Sequence, residues 1–139
     1  MSNTPVKQQP PFAPFAALVG ITVTDFSPER VAGTLAVREE LTNPNGFLHG
    51  GALMSLADNL GGAATVANLP PGFTTTSIES KTNFFAAIPV GDTAHAECTP
   101  LHRGRSTMVW QTRITRGDGR LAAIVTQTQM VIERKGKAG

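Results

Sequence analysis

The sequence predicts an α+β fold in which a strongly curved antiparallel sheet wraps around one long central helix. Three observations predict it: one long helical stretch near the middle, β-type patterning from there to the end, and strong turn signals between the last strands. An apolar helix buried against one sheet is a stable two-layer arrangement around a single core. The chain has 139 residues, which fits one domain.

The first third of the chain predicts a leader, a short helix and two strands. Residues 1–11 contain three prolines among polar neighbours, so we expect a flexible leader. The stretch FAPFAALVG predicts a short apolar helix ending at Gly20, and ITVTDFSPERVAGTLAV predicts two β segments around a Ser-Pro turn. We expect one domain over residues 12–133 and a frayed basic tail over residues 134–139.

The central helix is predicted from Gly50 to about Ala67. Its apolar residues recur at helical spacing and form one core-facing stripe: Leu53, Leu56, Ala57, Leu60 and Ala64. On an ideal helix, Asp58 lies about 140° from the centre of that stripe, so it does not face the subunit's own core. Gly61 and Gly62 each cost about 1 kcal/mol relative to alanine in a helix interior, which indicates that packing needs the room.

After the breaker LPPGF, the pattern is β-type. Strict alternation in TSIESKTNFF places Ser77 and Ser80 on opposite faces of a strand, and TAHAECT alternates small apolar with polar residues. The stretches STMVWQTRITR and LAAIVTQTQMVI predict long strands joined by RGDGR, whose Asp-Gly step is a hairpin signal. The stretch HRGRS predicts a similar turn at 102–106. The RGD triplet at 116–118 is therefore explained by a turn rather than by adhesion.

Composition limits the classes of partner. The net charge is only +2 and the basic residues are scattered, so we expect no nucleic acid partner. The single cysteine, Cys98, excludes an internal disulfide, and the three histidines show no paired metal spacing, so we expect no metal and no cofactor. No signal layout and no bilayer-length apolar run is present, so we expect a cytoplasmic protein without a membrane partner.

The candidate site lies in NPNGFLHGGALMSLAD, which runs from Asn43 to Asp58. Gly50 and Gly51 leave the first backbone N–H groups of the helix free of side-chain cover, and the helix dipole puts positive potential there. A developing oxyanion is stabilised at such a point. Simpler interpretations stay open, because the glycines suit a tight entry turn, His49 suits a helix cap and Asp58 suits an exposed helix face.

Helix geometry predicts that the site is shared between two chains. Gly50 and Asp58 are eight residues apart, hence about 12 Å along the helix axis, and cannot both touch one reacting carbon. A second copy of the helix, antiparallel about a two-fold axis near Met54, would bring Gly50 of one chain opposite Asp58 of the other. The hypothesis is a dimer in which the site occurs twice.

The same residues carry a family resemblance. The motif NPNGFLHGGALMSLAD, the long helix, the breaker, and strands with FF, PVGD and an HRGR turn resemble the hotdog-fold acyl-CoA thioesterases, specifically the phenylacetyl-CoA thioesterase-like branch. The resemblance covers roughly Phe15 to Ile132. It implies a hotdog fold, an acyl-CoA substrate of aryl or medium size, and homodimers whose sheets join edge to edge, often assembled into homotetramers.

By position, the resemblance implies three roles around the helix. Asp58 looks like the catalytic carboxylate, acting as general base or as nucleophile. Gly50 looks like the backbone N–H donor to the thioester carbonyl. His49 would fix the loop and the helix start by hydrogen bonding, near the thioester sulfur.

The resemblance implies two further polar positions, each with a competing neighbour. Asn43 looks like the residue that helps hold the thioester or the attacking water, and Asn45 is the alternative. Ser77 looks like a water-orienting hydroxyl on the next strand, and Thr76 is the alternative.

Substrate contacts are predicted at two places. Arg103 and Arg105 in the HRGRS turn are candidates for binding the phosphates of coenzyme A, although both also suit a solvated turn. The acyl pocket draws on residues that equally suit an ordinary core: Phe47, Met54, Phe84 and Phe85.

Three other functions are considered. A hotdog-fold dehydratase acting on 3-hydroxyacyl thioesters and a non-catalytic acyl-CoA-binding module remain alternatives. An α/β-hydrolase is set aside, because the HGG step is not followed by a Gly-x-Ser-x-Gly elbow and the chain is too short.

Overall fold

The computed structural model describes residues 9–135. Within this range the helices and strands are, in order, α1 (Pro14–Val19), β1 (Ile21–Phe26), β2 (Val31–Ala36), a 3-10 turn (Glu39–Leu41), α2 (Gly50–Val66), β3 (Phe73–Phe84), β4 (Thr93–Arg103), β5 (Thr107–Thr115) and β6 (Leu121–Glu133). Most of the predicted leader and tail, residues 1–8 and 136–139, lies outside the described residues.

The six strands form one antiparallel sheet in the order β1-β2-β4-β5-β6-β3. The hairpins β4–β5 and β5–β6 follow from the two predicted turns, because a short turn leaves consecutive strands side by side. Strand β3 instead pairs with β6, far along the chain, and lies at one edge of the sheet. Because β3 is an edge strand, its outer side is accessible to a partner chain.

Helix α2 crosses the concave face of the curved sheet, which confirms the predicted α+β architecture. It is 17 residues long and begins at the predicted Gly50. Its leucine stripe is buried against apolar side chains of the sheet, including Leu35, Trp110 and Ile114. Among the described helices, none combines the length and apolarity needed to cross a bilayer.

A β-bulge in β3 overturns the strict alternation that the sequence predicts there. Ser77 pairs with Gln129 and Ser80 pairs with Gln127, with a register shift at the intervening Ile78. The extra residue puts Ser77 and Ser80 on the same face of the strand, because a bulge sets two residues opposite one. The face in question is the one that α2 covers, as the contact between Ser77 and α2 shows below.

Helix α1 packs beside α2 and is held by one arginine. It ends at Gly20, which adopts a left-handed φ of 90°. The Arg38 guanidinium donates to the carbonyls of Val19 at 2.6 Å and Leu18 at 3.0 Å, which are C-terminal carbonyls of α1 without a partner in the helix. This contact holds the C-terminal end of α1, and Phe15 near the start of the same helix lines the pocket that contains Asp58.

Candidate active site

Asp58 lies midway along α2, on the side facing the edge strand β3. Its Oδ1 accepts hydrogen bonds from Ser77 Oγ at 2.6 Å and from Gln127 Nε2 at 2.5 Å. Its Oδ2 has no hydrogen-bond partner among the described residues. The carboxylate is therefore held by one oxygen, while the other is left open to a pocket.

Two buried glutamines of β6 support this carboxylate. Both side chains are about 1% exposed. Ser77 Oγ accepts from Gln129 Nε2 at 2.6 Å and from Gln127 Nε2 at 3.1 Å. The Gln129 Oε1 accepts from Thr75 Oγ1 at 2.9 Å. The network thus runs from β3 through β6 to the acid on α2.

The hydrogen-bond capacity of Ser77 is used up by these contacts. A hydroxyl donates once and accepts twice, and Ser77 donates to Asp58 and accepts from Gln127 and Gln129. No capacity remains on its oxygen for a water, so the geometry makes Ser77 an anchor of Asp58. Thr76, the alternative position, is exposed and points to the opposite face of β3.

The sequence reasoning missed Gln127 and Gln129, although a signal was present. Both share the period-two face of β6 with Ala123 and Val125, which are fully buried. An amide at a core-facing strand position needs a hydrogen-bond partner. Two such amides in one strand indicate a buried polar network.

The start of α2 presents an unused donor. His49 is the N-cap residue, and its Nδ1 accepts from the Gly51 N–H at 2.8 Å, which provides the predicted anchoring of the helix start. The Gly50 N–H has no acceptor among the described residues. The Phe84 ring packs against Gly50, where an added Cβ would lie 3.1 Å from the ring carbon Cζ.

Asn43 shapes the loop before the helix. Its Oδ1 accepts from the backbone N–H of Asn45 at 3.0 Å and of Phe47 at 3.2 Å. Asn43 lines the same pocket as Gly50, whereas Asn45 is exposed and does not line it. The Asn43 amide nitrogen has no partner among the described residues, which leaves it free to bind a ligand.

The donor and the acid open into different pockets. The first, of about 380 Å³, is apolar and contains the donor; its lining includes Asn43, Phe47, Gly50, Phe84 and Phe85. The second, of about 470 Å³, contains the acid; its lining includes Phe15, Met54, Ser55, Asp58 and Ser80. One chain therefore carries a donor half-site and an acid half-site, about 12 Å apart along the axis of α2.

The structure places Arg103 and Arg105 away from both half-sites. They line a third pocket, of about 370 Å³, near the C-terminal end of α2. The Arg103 guanidinium donates to the Pro28 carbonyl at 3.2 Å and to Asn68 Oδ1 at 3.4 Å. Asn68 follows Asp58 by ten residues, so helical rise puts this pocket about 15 Å beyond the acid.

No metal cluster is found in the part of the chain that the structure describes. There, no three side chains of His, Cys, Asp or Glu are grouped so that they could hold an ion. Cys98 is fully buried in the core, and burial raises the pKa of its thiol to about 11.

An exposed acid on the central helix and a free N–H at its start fit a hotdog-fold thioester hydrolase. Comparison with known proteins shows the family to which the chain belongs. Residues 45–123, more than half of the chain, match the Thioesterase superfamily, so the chain belongs to that superfamily of thioester hydrolases. The resemblance to hotdog-fold thioesterases is thereby confirmed.

Three similar proteins illustrate the family. The structure of thioesterase HI1161 from Haemophilus influenzae is 26% identical, has a TM-score of 0.83, and the match covers 90% of this chain and 87% of that one. The structure of smu.793 from Streptococcus mutans, bound to acetyl-CoA, is 28% identical with a TM-score of 0.75, covering 83% and 91%. The 1,4-dihydroxy-2-naphthoyl-CoA hydrolase of Listeria monocytogenes is 28% identical over 120 residues, covering 86% and 95%.

Proposed function

We propose that this protein hydrolyses an acyl-CoA thioester to a free acid and coenzyme A at a site shared by two protomers. Asp58 of one protomer supplies the carboxylate, and Gly50 of the partner subunit supplies the oxyanion donor. The observation that carries the proposal is the Asp58 carboxylate, anchored through Oδ1 and open at Oδ2, midway along a helix whose first residue has an unused N–H.

A homodimer formed through β3 is the assembly that completes the site. Strand β3 is 12 residues long and pairs on one side only with the strands that the structure describes, so its outer edge presents free N–H and C=O groups. Pairing with the same edge of a second copy satisfies them and keeps two-fold symmetry. Because Asp58 contacts β3, this pairing brings the two α2 helices alongside each other. A homotetramer would be a pair of such dimers.

The proposed reaction needs no third catalytic group, because a thioester carbonyl is less stabilised by resonance than an amide. Asp58 Oδ2 takes a proton from a water whose oxygen bonds to the carbonyl carbon. The resulting oxyanion accepts from the Gly50 N–H at the positive end of α2. The C–S bond then breaks, and the leaving thiolate of coenzyme A takes the proton from Asp58.

A nucleophilic role for Asp58 is the second version of this mechanism. There Oδ2 bonds to the carbonyl carbon, the thiolate leaves, and water hydrolyses the resulting mixed anhydride to regenerate the carboxylate. In both versions Oδ2 is the reacting oxygen, because Oδ1 is occupied by Ser77 and Gln127. The Asn43 amide nitrogen, which faces the donor pocket, would hold the thioester oxygen or the water.

Aromatic side chains of the donor pocket favour an aryl or medium-sized acyl group. Phe47, Phe84 and Phe85 are 38%, 53% and 54% exposed. Burying these exposed aromatic surfaces against an apolar ligand contributes favourable binding free energy. The Listeria relative named above is a hydrolase of an aryl-CoA ester, which supports this class.

Arg103 and Arg105 remain our candidates for binding the phosphates of coenzyme A, which lie at the far end of that molecule from its thioester.

A thiol-release assay over aryl- and alkyl-CoA esters tests the function. We expect turnover by the native protein and a loss of about 10²- to 10⁴-fold in kcat for Asp58→Asn, which removes the base or nucleophile. Equal turnover by both proteins would refute the mechanism. Formation of an enoyl-CoA without thiol would select the dehydratase, and ligand binding without any thiol release would select the binding module.

A further inference from the structure

We infer that Gln127 is a positioning residue for Asp58, and that Gly61 is required to make room for its amide. The inference rests on the proposed function in taking Asp58 as the reacting group. It goes further in assigning roles to a buried strand residue and to a helix glycine, neither of which touches the substrate.

The hydrogen bonds define what Gln127 does. Its Nε2 carries two hydrogens, and it donates to Asp58 Oδ1 at 2.5 Å and to Ser77 Oγ at 3.1 Å. The amide orientation is fixed by chemistry, because only the NH2 group can face a carboxylate. Gln127 therefore restrains both the Asp58 carboxylate and the Ser77 hydroxyl, and this hydroxyl itself donates to the carboxylate.

Gly61 provides the space in which this amide lies. A Cβ at Gly61 would overlap Gln127 Oε1 and would lie 2.6 Å from Gln127 Cδ. Within the described chain, that Oε1 is buried and has no hydrogen-bond partner, and it occupies the space where a side chain at residue 61 would begin. Any larger residue at 61 must displace the Gln127 amide from Asp58. This contact explains one of the two glycines that weaken the middle of α2.

The consequence for the reaction is the choice of oxygen. A free carboxylate rotates about its bond to Cβ, and either oxygen then faces the pocket. Two donors on Oδ1 fix that rotation and keep Oδ2 directed at the pocket that Phe15, Met54 and Ser80 line with it. Loss of the Gln127 donor leaves Ser77 as the single restraint, and Ser77 itself loses one of its partners.

The test compares Gly61→Ala with Gly62→Ala. The two substitutions make the same chemical change in adjacent helical positions, but a Cβ at Gly62 meets nothing within 4 Å among the described residues of its own chain. We expect kcat for thiol release to fall about 10- to 100-fold in Gly61→Ala, the effect of losing one hydrogen bond to a charged group, with little change in KM. Gly62→Ala should keep the wild-type kcat.

A double variant separates positioning from general damage. Gln127→Ala should lower kcat by a similar factor, and it also vacates the space into which the new methyl group projects. Gly61→Ala combined with Gln127→Ala should then be no slower than Gln127→Ala alone. Wild-type kcat in Gly61→Ala, or losses that multiply in the double variant, would overturn the inference.

Gln127→Met provides the same test without a cavity, because it keeps the length of the side chain and removes the donor. It should lower kcat and leave KM and the thermal midpoint near wild type; a wild-type kcat would contradict the inference. Asp58→Asn is measured in parallel. If Asp58→Asn is inactive while the Gln127 and Gly61 variants are fully active, only this inference fails; if Asp58→Asn is active, the proposed function fails.

Discussion

The Gly50 N–H can be deleted without breaking the helix, by the substitution Gly50→Pro. Gly50 is the first residue of α2, where proline is favoured because the N–H has no partner within the helix. The preceding His49 has φ −60° and ψ 135°, an extended conformation that a following proline accepts. The matched control is Gly50→Ala, which adds a Cβ but keeps the N–H.

The expected magnitude follows from the role of that N–H. Losing one oxyanion donor lowers kcat by about 10²- to 10³-fold. In both variants the new Cβ lies 3.1 Å from Phe84 Cζ, and that half-exposed ring can yield by a few tenths of an ångström. The ratio of kcat between Gly50→Ala and Gly50→Pro in the thiol-release assay therefore isolates the donor. Equal rates for the two variants would refute the assignment of Gly50.

Mixing Gly50→Pro with Asp58→Asn tests whether the site is shared. In a shared site, a mixed dimer pairs the intact Gly50 of one chain with the intact Asp58 of the other. Random re-association after joint refolding makes half of the dimers mixed, each with one intact site, so about a quarter of wild-type activity should return. A site formed within one chain would give no recovery at any mixing ratio, and that result would exclude the shared site.

Three further predictions concern other parts of the chain. Asn43→Ala should lower both kcat and the thermal midpoint, whereas Asn43→Asp keeps the loop acceptor and should lower kcat alone; equal midpoints would contradict this. Thr65→Val removes the acceptor 2.9 Å from the buried Trp110 Nε1 and should destabilise the fold by about 1 to 3 kcal/mol, measured by fluorescence of this single tryptophan during denaturation. Burial raises the pKa of Cys98 to about 11, so a disulfide reagent at mildly alkaline pH should titrate its thiol only after unfolding.

Local patterns predicted the elements, but not the order of the strands. The span of α2, predicted as Gly50 to about Ala67, is observed as Gly50–Val66, because an apolar stripe and a glycine start are local signals. The pairing of β3 with β6 depends on contacts between residues 39 to 60 positions apart, which no local pattern encodes. The bulge at Ile78 likewise belongs to the pairing of β3 with β6, and it puts Ser77 on the same face as Ser80.

The two ends of the candidate site were predictable to different degrees. Helix geometry predicted the separation of Gly50 and Asp58 along α2, since rise and angle are fixed by sequence spacing, and their roles in the reaction stay predictions. The glutamine network was missed because glutamine at alternate strand positions also suits a solvated face. Arg103 and Arg105 were proposed from their charge and their turn, and the structure places that turn at the far end of α2, away from both half-sites.

The position of β6 between β5 and β3 has a consequence for folding. Residues of α2 and β3 leave the ribosome well before β6, so Asp58 and Ser77 exist for a time without the strand that carries their partners. During that interval β3 has two unpaired edges, a state prone to aggregation. Insertion of β6 is a non-local step, which is slow in folding. The strand that pairs with one of these two edges also carries Gln127, so the acid half-site forms when β6 joins the sheet and not before.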